Sequence, residues 1–415
     1  MKIKNIIVAV ILVISGIEVL AQNNVNSPYT MFGIGYIEQG GFGRNKALGG
    51  AGISLPSEYS LNNLNPASYS TIDSLHFFLE TGINTIYSKF SYQSQTQKKV
   101  NANFSYLALG FRFNRWWANS IGIAPYSNIG YSINTSKQIE GTPFSSEINI
   151  AGSGGVNQFY WGNSFKLHRN FSIGINASYL FGSISQIQKT TNSYVSGEMK
   201  VEDESTLRNF YFNYGAQYHF RVNENLKGSL GAVYGSKTKL NLDHALTVTD
   251  FDSDTLKSEL KSKSTFYIPE TFGFGASLKL KDRLLLTGDY SQSNWSGINK
   301  TETGFKMVNI NNLAFGIEYL PSVKVSASYF QSIKYRLGFY NENSYLKIKD
   351  QQLKDYGFTA GLGLPVRKSK AFLNIAFSAG FKGNVNSTSV INEIYYKVHL
   401  NFTLLDYWFG RAKYE

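Results

Sequence analysis

The sequence predicts an all-β chain, a 14-stranded antiparallel transmembrane β-barrel with an N-terminal plug (hatch) segment. Three observations predict it. Segment after segment alternates apolar and polar residues with a period of two. The connections between these segments sort by length according to parity. The 415 residues include 28 Tyr and 30 Phe against 8 Pro, with charged residues at 16%, a composition that fits a sheet whose outer face meets lipid.

The first residues supply the address. Lys2 and Lys4 precede an unbroken apolar run over 6–14, and Val19-Leu20-Ala21 offers a small-residue cleavage site. Residues 1–21 therefore read as a secretory signal peptide, too short for a spanning helix, with cleavage after Ala21. No later segment approaches eighteen consecutive apolar residues. The chain has no Cys, so an oxidising compartment is permitted but no disulfide framework exists. The formal charge of +12 is scattered through turns and loops rather than clustered on a helix. That excludes a nucleic-acid stripe and fits anionic lipid head groups.

Three strands illustrate the pattern. Over 170–182, Phe171, Ile173, Ile175, Ala177, Tyr179 and Phe181 oppose Ser172, Gly174, Asn176, Ser178 and Gly182. Over 371–382, Leu373, Ile375, Phe377 and Ala379 oppose Asn374, Ser378 and Lys382. Over 395–404, Tyr396, Val398, Leu400 and Phe402 oppose Lys397, His399, Asn401 and Thr403. The same device marks strands beginning near Leu75, Asn103, Asn119, Val156, Asn170, Arg208, Asn225, Thr265, Arg283, Phe305, Val323, Asp355, Ala371 and Ile391. An even number suits a closed antiparallel barrel. Connections after even strands are tight, as in NRWWA, LHRN, RVNEN, KLKDR, LPSV and PVRKSK. Those after odd strands are longer and more polar, as in QSQTQKKVN, KTTNSYVSGEMKVEDEST and TDFDSDTLKSELKSKS. Short periplasmic turns and long extracellular loops give this asymmetry; a soluble sandwich has no reason to sort loops by parity. The barrel is expected over 75–404, followed by a periplasmic tail at 405–415.

Residues 22–74 precede the first strand. Eight glycines between 33 and 52 leave too little side-chain mass for a separate core, so the segment is expected to plug the lumen. Within it, Asn65-Pro66 is a turn-forming dipeptide, Pro66 biasing Asn65 away from helical angles. In the third strand Pro125 cannot donate to a ladder, so pairing must be interrupted there, with Gly122 and Gly130 nearby. A simple bulge near the rim explains this on local chemistry.

GRNKALGGAGISLPSEYSLNNLNPASYS at 43–70 resembles the hatch of the long-chain fatty acid transporter family, the FadL-like outer-membrane proteins. IPETFGFGASL at 268–278, GDYSQSNWS at 288–296, YRLGFY at 335–340 and DYGFTAGLGLPV at 355–366 follow in order. The resemblance implies a fourteen-stranded barrel in the bacterial outer membrane that passively transports fatty acids or hydrocarbons, with no catalysis and no cofactor. It implies ligand gating by Gly49, Gly50, Gly52, Asn65, Pro66 and Ala67, and a lateral opening at Gly122, Pro125 and Gly130. The partners implied are a hydrophobic ligand, outer-membrane lipid and lipopolysaccharide, with other envelope proteins and no nucleic acid. A different class of function stays open, a barrel that docks secreted cargo or serves as a structural adhesin.

The remaining motifs point to no chemistry. Asp250, Asp252 and Asp254 resemble the start of a calcium loop, but Thr255 and Lys261 stand where Gly and Glu are needed. GSGG at 152–155 lacks the Lys-Ser/Thr of a phosphate loop. His76, His168, His219, His244 and His399 have no metal-ligand spacing, and His399 and Asn401 have no placed nucleophile. Glu202, Asp203 and Glu204 read as loop charge. Trp116, Trp117 and Trp408 fall where a periplasmic aromatic girdle is expected.

Overall fold

The computed structural model describes residues 27–73, 76–192, 195–252, 254–298, 304–324, 326–366, 371–384 and 390–407. The signal segment, residues 22–26 of the hatch and the tail from Trp408 lie outside the described residues. Fourteen antiparallel strands form one closed sheet. They are β1 (His76–Tyr92), β2 (Gln95–Arg112), β3 (Trp117–Gln138), β4 (Ser145–His168), β5 (Phe171–Asn192) and β6 (Val195–Asn223). Then come β7 (Leu226–Gly235 and Thr238–Thr249), β8 (Thr255–Ile268 and Thr271–Leu280), β9 (Leu284–Ser293) and β10 (Phe305–Met307 and Ile310–Tyr319). β11 (Lys334–Ile348), β12 (Gln351–Pro365), β13 (Phe372–Gly383) and β14 (Asn392–Tyr407) complete the wall. β14 closes on β1 without a break from Asn392↔Ser91 to Tyr407↔His76. Closure leaves no free sheet edge at this junction, as hydrocarbon requires. No helix among the described residues is long and apolar enough to cross a membrane.

The alternation is realised as read. Phe171, Ile173 and Tyr179 are exposed on the outer face, while Ser172, Asn176 and Ser178 are buried within. Phe377 and Tyr396 point out; Asn374, Ser378, His399 and Asn401 point in. An outer belt of large apolar side chains around a polar interior is built for a bilayer.

Four expectations are corrected. β2, β4, β6 and β8 begin eight to thirteen residues earlier than read, near Gln95, Ser145, Val195 and Thr255. The polar stretches taken as long loops are therefore mostly strand, because largely polar hairpins above the apolar belt pair with little hydrophobic alternation. Parity asymmetry survives as projecting hairpins. β11 begins at Lys334, not near Val323, and LPSV is not a tight turn but opens a connection containing the helix Tyr329–Ser332. β14 runs to Tyr407, so Leu405 belongs to the wall, paired with Phe78. GSGG lies inside β4, where Gly154 and Gly155 adopt positive φ beside a break in its pairing with β5.

The barrel end holding His76 and Tyr407 is termed the terminal end, the other the hairpin end. The hatch starts in the hairpin half, where Ser27 N–H donates to Gly130 O at 3.0 Å. It then threads the lumen through a two-residue strand, Tyr36–Ile37, and a short helix, Gly43–Lys46. After the 3-10 turn Pro66–Thr71 it enters β1. Toward the hairpin end the lumen is filled by apolar side chains, including Ile34, Leu180, Leu240, Trp295 and Phe305. The Trp295 ring stacks on Tyr345 at 4.8 Å.

Candidate functional site: a bolted hatch and a parted wall

The Asn65-Pro66-Ala67 turn is the most heavily bonded part of the hatch. Asn65 is extended (φ −131°, ψ 110°), as the following proline demands, and its Oδ1 accepts from Ala67 N at 3.0 Å. Its Nδ2 donates to the carbonyls of Ile53 (2.8 Å), Ala216 (3.0 Å) and Ala232 (3.3 Å), joining the hatch to β6 and β7. Ala67 O accepts from Ser164 and Ser172 hydroxyls at 2.9 and 3.1 Å, adding β4 and β5. The wall makes room with glycine. A Cβ on Gly215 would fall 2.0 Å from Asn65 Oδ1, and one on Gly174 2.4 Å from the Pro66 carbonyl carbon.

A second seat is ionic. Arg44 donates from Nε and Nη2 to the two Glu318 oxygens, each at 3.1 Å. Arg336 Nε donates to Glu318 Oε2 at 2.7 Å, its Nη1 donates to Asn374 at 2.8 Å, and Tyr59 O–H also donates to Glu318. All three charges are buried, with 5%, 8% and 1% of the Arg44, Glu318 and Arg336 side chains exposed. A buried carboxylate shared by two guanidiniums stands only because its lone pairs are all engaged.

The three hatch glycines have surroundings of their own. Gly49 (φ +69°) has its N–H on Thr359 Oγ1 at 3.0 Å and leaves no space for a side chain, a Cβ lying 2.4 Å from Phe339 O. Gly50 (φ +88°) borders two cavities. Gly52 N–H and Ile53 N–H both donate to Asp289 Oδ2, at 2.6 and 2.8 Å.

On the other side the wall parts. β2 and β3 pair only from Leu107↔Ile123 to Arg112↔Ala118. Beyond Ile123, β3 takes the hatch as partner: Tyr36↔Asn128 and Ile37↔Ser127, with Glu38 N–H donating to Tyr126 O at 3.0 Å. Pro125 marks this change, and the β3–β4 register slips between Pro125 and Ser127. Gly122 lies just below, where a Cβ would meet Leu107 O at 2.7 Å, and Gly130 above accepts from Ser27 and Thr30. Behind the parted strands is a cavity of about 310 Å³ bordered by Phe104, Ser105, Pro125, Ile37, Gly41 and Leu64. It reaches across the lumen to Asn213 and Asn312. A smaller cavity of about 70 Å³ adjoins Gly49 and Gly50 and is bordered by Lys46, Asp355, Lys382, Glu393, Lys397 and His399.

Gly49, Gly52, Asn65, Pro66 and Ala67 thus meet the wall, whereas Gly50 meets only the hatch's own Gln39 and borders the cavities; Pro125 and Gly130 lie on the parted stretch of β3, and Gly122 lies on the stretch still paired to β2 at Ala108. Sequence reading missed Arg44, Glu318, Arg336, Asp289 and Thr359. Each strand member lies on the inward phase of its strand, which the alternation could have flagged; their pairing with the hatch depends on register and was not legible. Trp116 and Trp117 do cluster with Phe165 at the terminal end, with ring centroids about 6 Å apart.

A family model described as BamG matches residues 2–415. No curated protein matches the chain. Among solved structures, the chain is similar to the toluene transporter TbuX of Ralstonia pickettii, at 15% identity and a TM-score of 0.59, covering 88% of this chain and 99% of that one. It is similar to the P. putida toluene transporter TodX, at 14% identity and TM-score 0.59, covering 90% and 100%. A Pseudomonas aeruginosa FadL homologue gives 14% and 0.58 over the same shares. At these identities the likeness is one of fold, and the fold is that of the FadL-like barrels.

Proposed function

The chain belongs to the BamG family, and we propose that it is a bacterial outer-membrane barrel passing hydrophobic small molecules, fatty acids or hydrocarbons, through a lateral exit between β2 and β3. The observation that carries this reading is the parted seam. Wall strands facing lipid do not give up their ladder without a use, and the pairing ends at Ile123 directly in front of a cavity. The proposed route enters among the hairpins, passes the 310 Å³ cavity and leaves beside Pro125 into the membrane. Asn65-Pro66-Ala67 acts as the fixed anchor of the gate. The movable part is the segment from Tyr36 to Gly52, which holds the inner edge of β3 closed. The toluene carried by the similar transporters supports a small, apolar cargo. Ser105→Trp, which fills the seam, is expected to abolish uptake of a labelled fatty acid into proteoliposomes while leaving the barrel folded; uptake at the original rate would refute the lateral route.

A second reading is favoured by a different observation. The terminal half of the lumen is closed by the Arg44–Glu318–Arg336 cluster and the hairpin half by the chain's own apolar side chains. A plugged lumen suits a barrel that works by docking another envelope protein or secreted cargo, using the long hairpins of β3 to β8. In that case Ser105→Trp changes no uptake, because there is none, and shortening the β5–β6 and β7–β8 hairpins removes a partner seen by cross-linking in intact envelopes.

A further inference from the structure

At the terminal end, between the hatch and the wall, a cavity of about 650 Å³ is bordered by Arg44, Arg169, Arg221, Lys227 and Lys279, with Glu58 its single acidic neighbour. The cations are unevenly satisfied. Lys227 Nζ donates to both Asp282 oxygens at 2.8 Å, and Lys279 lies 3.5 Å from Glu58 and from Asp282. Arg169 and Arg221 have no ion pair among the described residues and are exposed. Arg44 is the telling member. Its Nε and Nη2 hold Glu318 and its guanidinium lies over the Tyr59 ring at 4.4 Å, but Nη1 is buried without a hydrogen-bond partner, on a side chain only 5% exposed. His219, also bordering the cavity, likewise has a buried Nε2 without a partner. Leaving a buried charged donor unsatisfied is costly, and such a group calls for a ligand.

We propose that this vestibule binds a phosphate-type anion, either the head group of a membrane phospholipid or a soluble phosphoester. Planar guanidiniums match phosphate oxygens two by two, and Arg169, Arg221 and Arg44 offer three of them around one space. Excess cations in a walled cavity concentrate anions there. The volume equals the share of on the order of twenty waters, enough for a phosphorylated head group and more than a bare ion needs. The inference is independent of which cargo the barrel carries. It also has a consequence for the hatch: an anion on Arg44 Nη1 completes the bonding of a hatch guanidinium that holds Glu318 through Nε and Nη2, so occupancy and hatch docking are reciprocally linked.

The test uses the full mature chain in nanodiscs and the double variant Arg169→Ala/Arg221→Ala, which alters two exposed side chains and leaves the Arg44–Glu318 pair in place. One arm measures retention of phosphatidylglycerol by native mass spectrometry in phosphatidylcholine discs doped with it. The other measures binding of glycerol 3-phosphate by calorimetry. Retention of phosphatidylglycerol that falls at least about tenfold in the variant assigns the site to a lipid head group. Glycerol 3-phosphate binding that falls likewise assigns it to a soluble phosphoester. Absence of both, or equal binding by the variant, overturns the proposal. So does binding of a hexaglutamate peptide with neither phosphate probe bound, which would make the vestibule a docking point for an acidic protein.

Discussion

Replacing Arg44 with Met tests whether the hatch is held by a few identifiable bolts. The substitution keeps the packing of an unbranched side chain but removes two charge-assisted hydrogen bonds of 3.1 Å to Glu318. Glu318 is not stranded, because Arg336 and Tyr59 still donate to it. At about 1.5 kcal/mol each, the lower end for bonds to charged groups, the loss is about 3 kcal/mol of docking free energy. That corresponds to about a hundredfold larger undocked population. The barrel wall, whose pairing does not involve Arg44, is expected to keep its thermal transition within a few degrees. The chain lacks cysteine, so a single Gln39→Cys on the hatch, which gives up one 3.3 Å hydrogen bond to Glu342 in every variant alike, reports changes in docking. Under conditions where opening is fast relative to labelling, the maleimide rate tracks the open population. The rate is expected to rise about a hundredfold in the Arg44→Met background. An unchanged rate would refute the view that this ion cluster fastens the hatch.

Other expectations follow from the same geometry. Gly215→Ala puts a Cβ 2.0 Å from Asn65 Oδ1 and is expected to raise the same labelling rate by ejecting the turn. Asp289→Ala removes the acceptor of two backbone N–H groups and is expected to cost about 2–3 kcal/mol of docking, with Asp289→Asn recovering part of it in the same assay. Burial lowers the Lys46 amine to about 8, Lys397 adding to the effect while Glu38 and Glu342 oppose it. Since free lysine titrates near about 10.4, the released hatch binds more protons between the two values, so docking strengthens as pH rises through that window and is flat below about pH 7. Labelling, corrected for thiol ionisation, should fall between about pH 8 and 10, and Lys46→Met should abolish that fall.

Much of the architecture was legible because a barrel wall imposes a strict period of two. Phe171 to Phe181 and Tyr396 to Leu404 each present one apolar face, and the sorting of connections by parity set lipid against that face in place of a sandwich core. Legibility failed where that constraint lapses. Above the apolar belt, stretches such as 95–102 and 195–207 are polar on both faces, so strand and loop look alike. At Val323 a short alternating run lies in a connection instead of the wall, and nothing in its local pattern distinguishes the two. Pro125 was readable as a break because proline cannot donate, but whether the break was a bulge or a parting depended on where β2 went. The Arg44–Glu318 bond joins residues 274 positions apart, and no local signal announces it. Asn65 and Pro66 were readable as a turn; that glycines at 174 and 215 would be carved for them was not.

The central claim is that apolar cargo meets the wall at the seam between β2 and β3. The most direct measurement is photocross-linking with a diazirine-bearing long-chain fatty acid, followed by mapping of the adducts by mass spectrometry. Adducts are expected on Phe104, Ser105, Pro125 and the facing hatch residues Ile37 and Leu64, competed away by unlabelled fatty acid. Adducts confined to the outer belt, such as Phe274, Phe315 and Phe358, and insensitive to competitor, would contradict it.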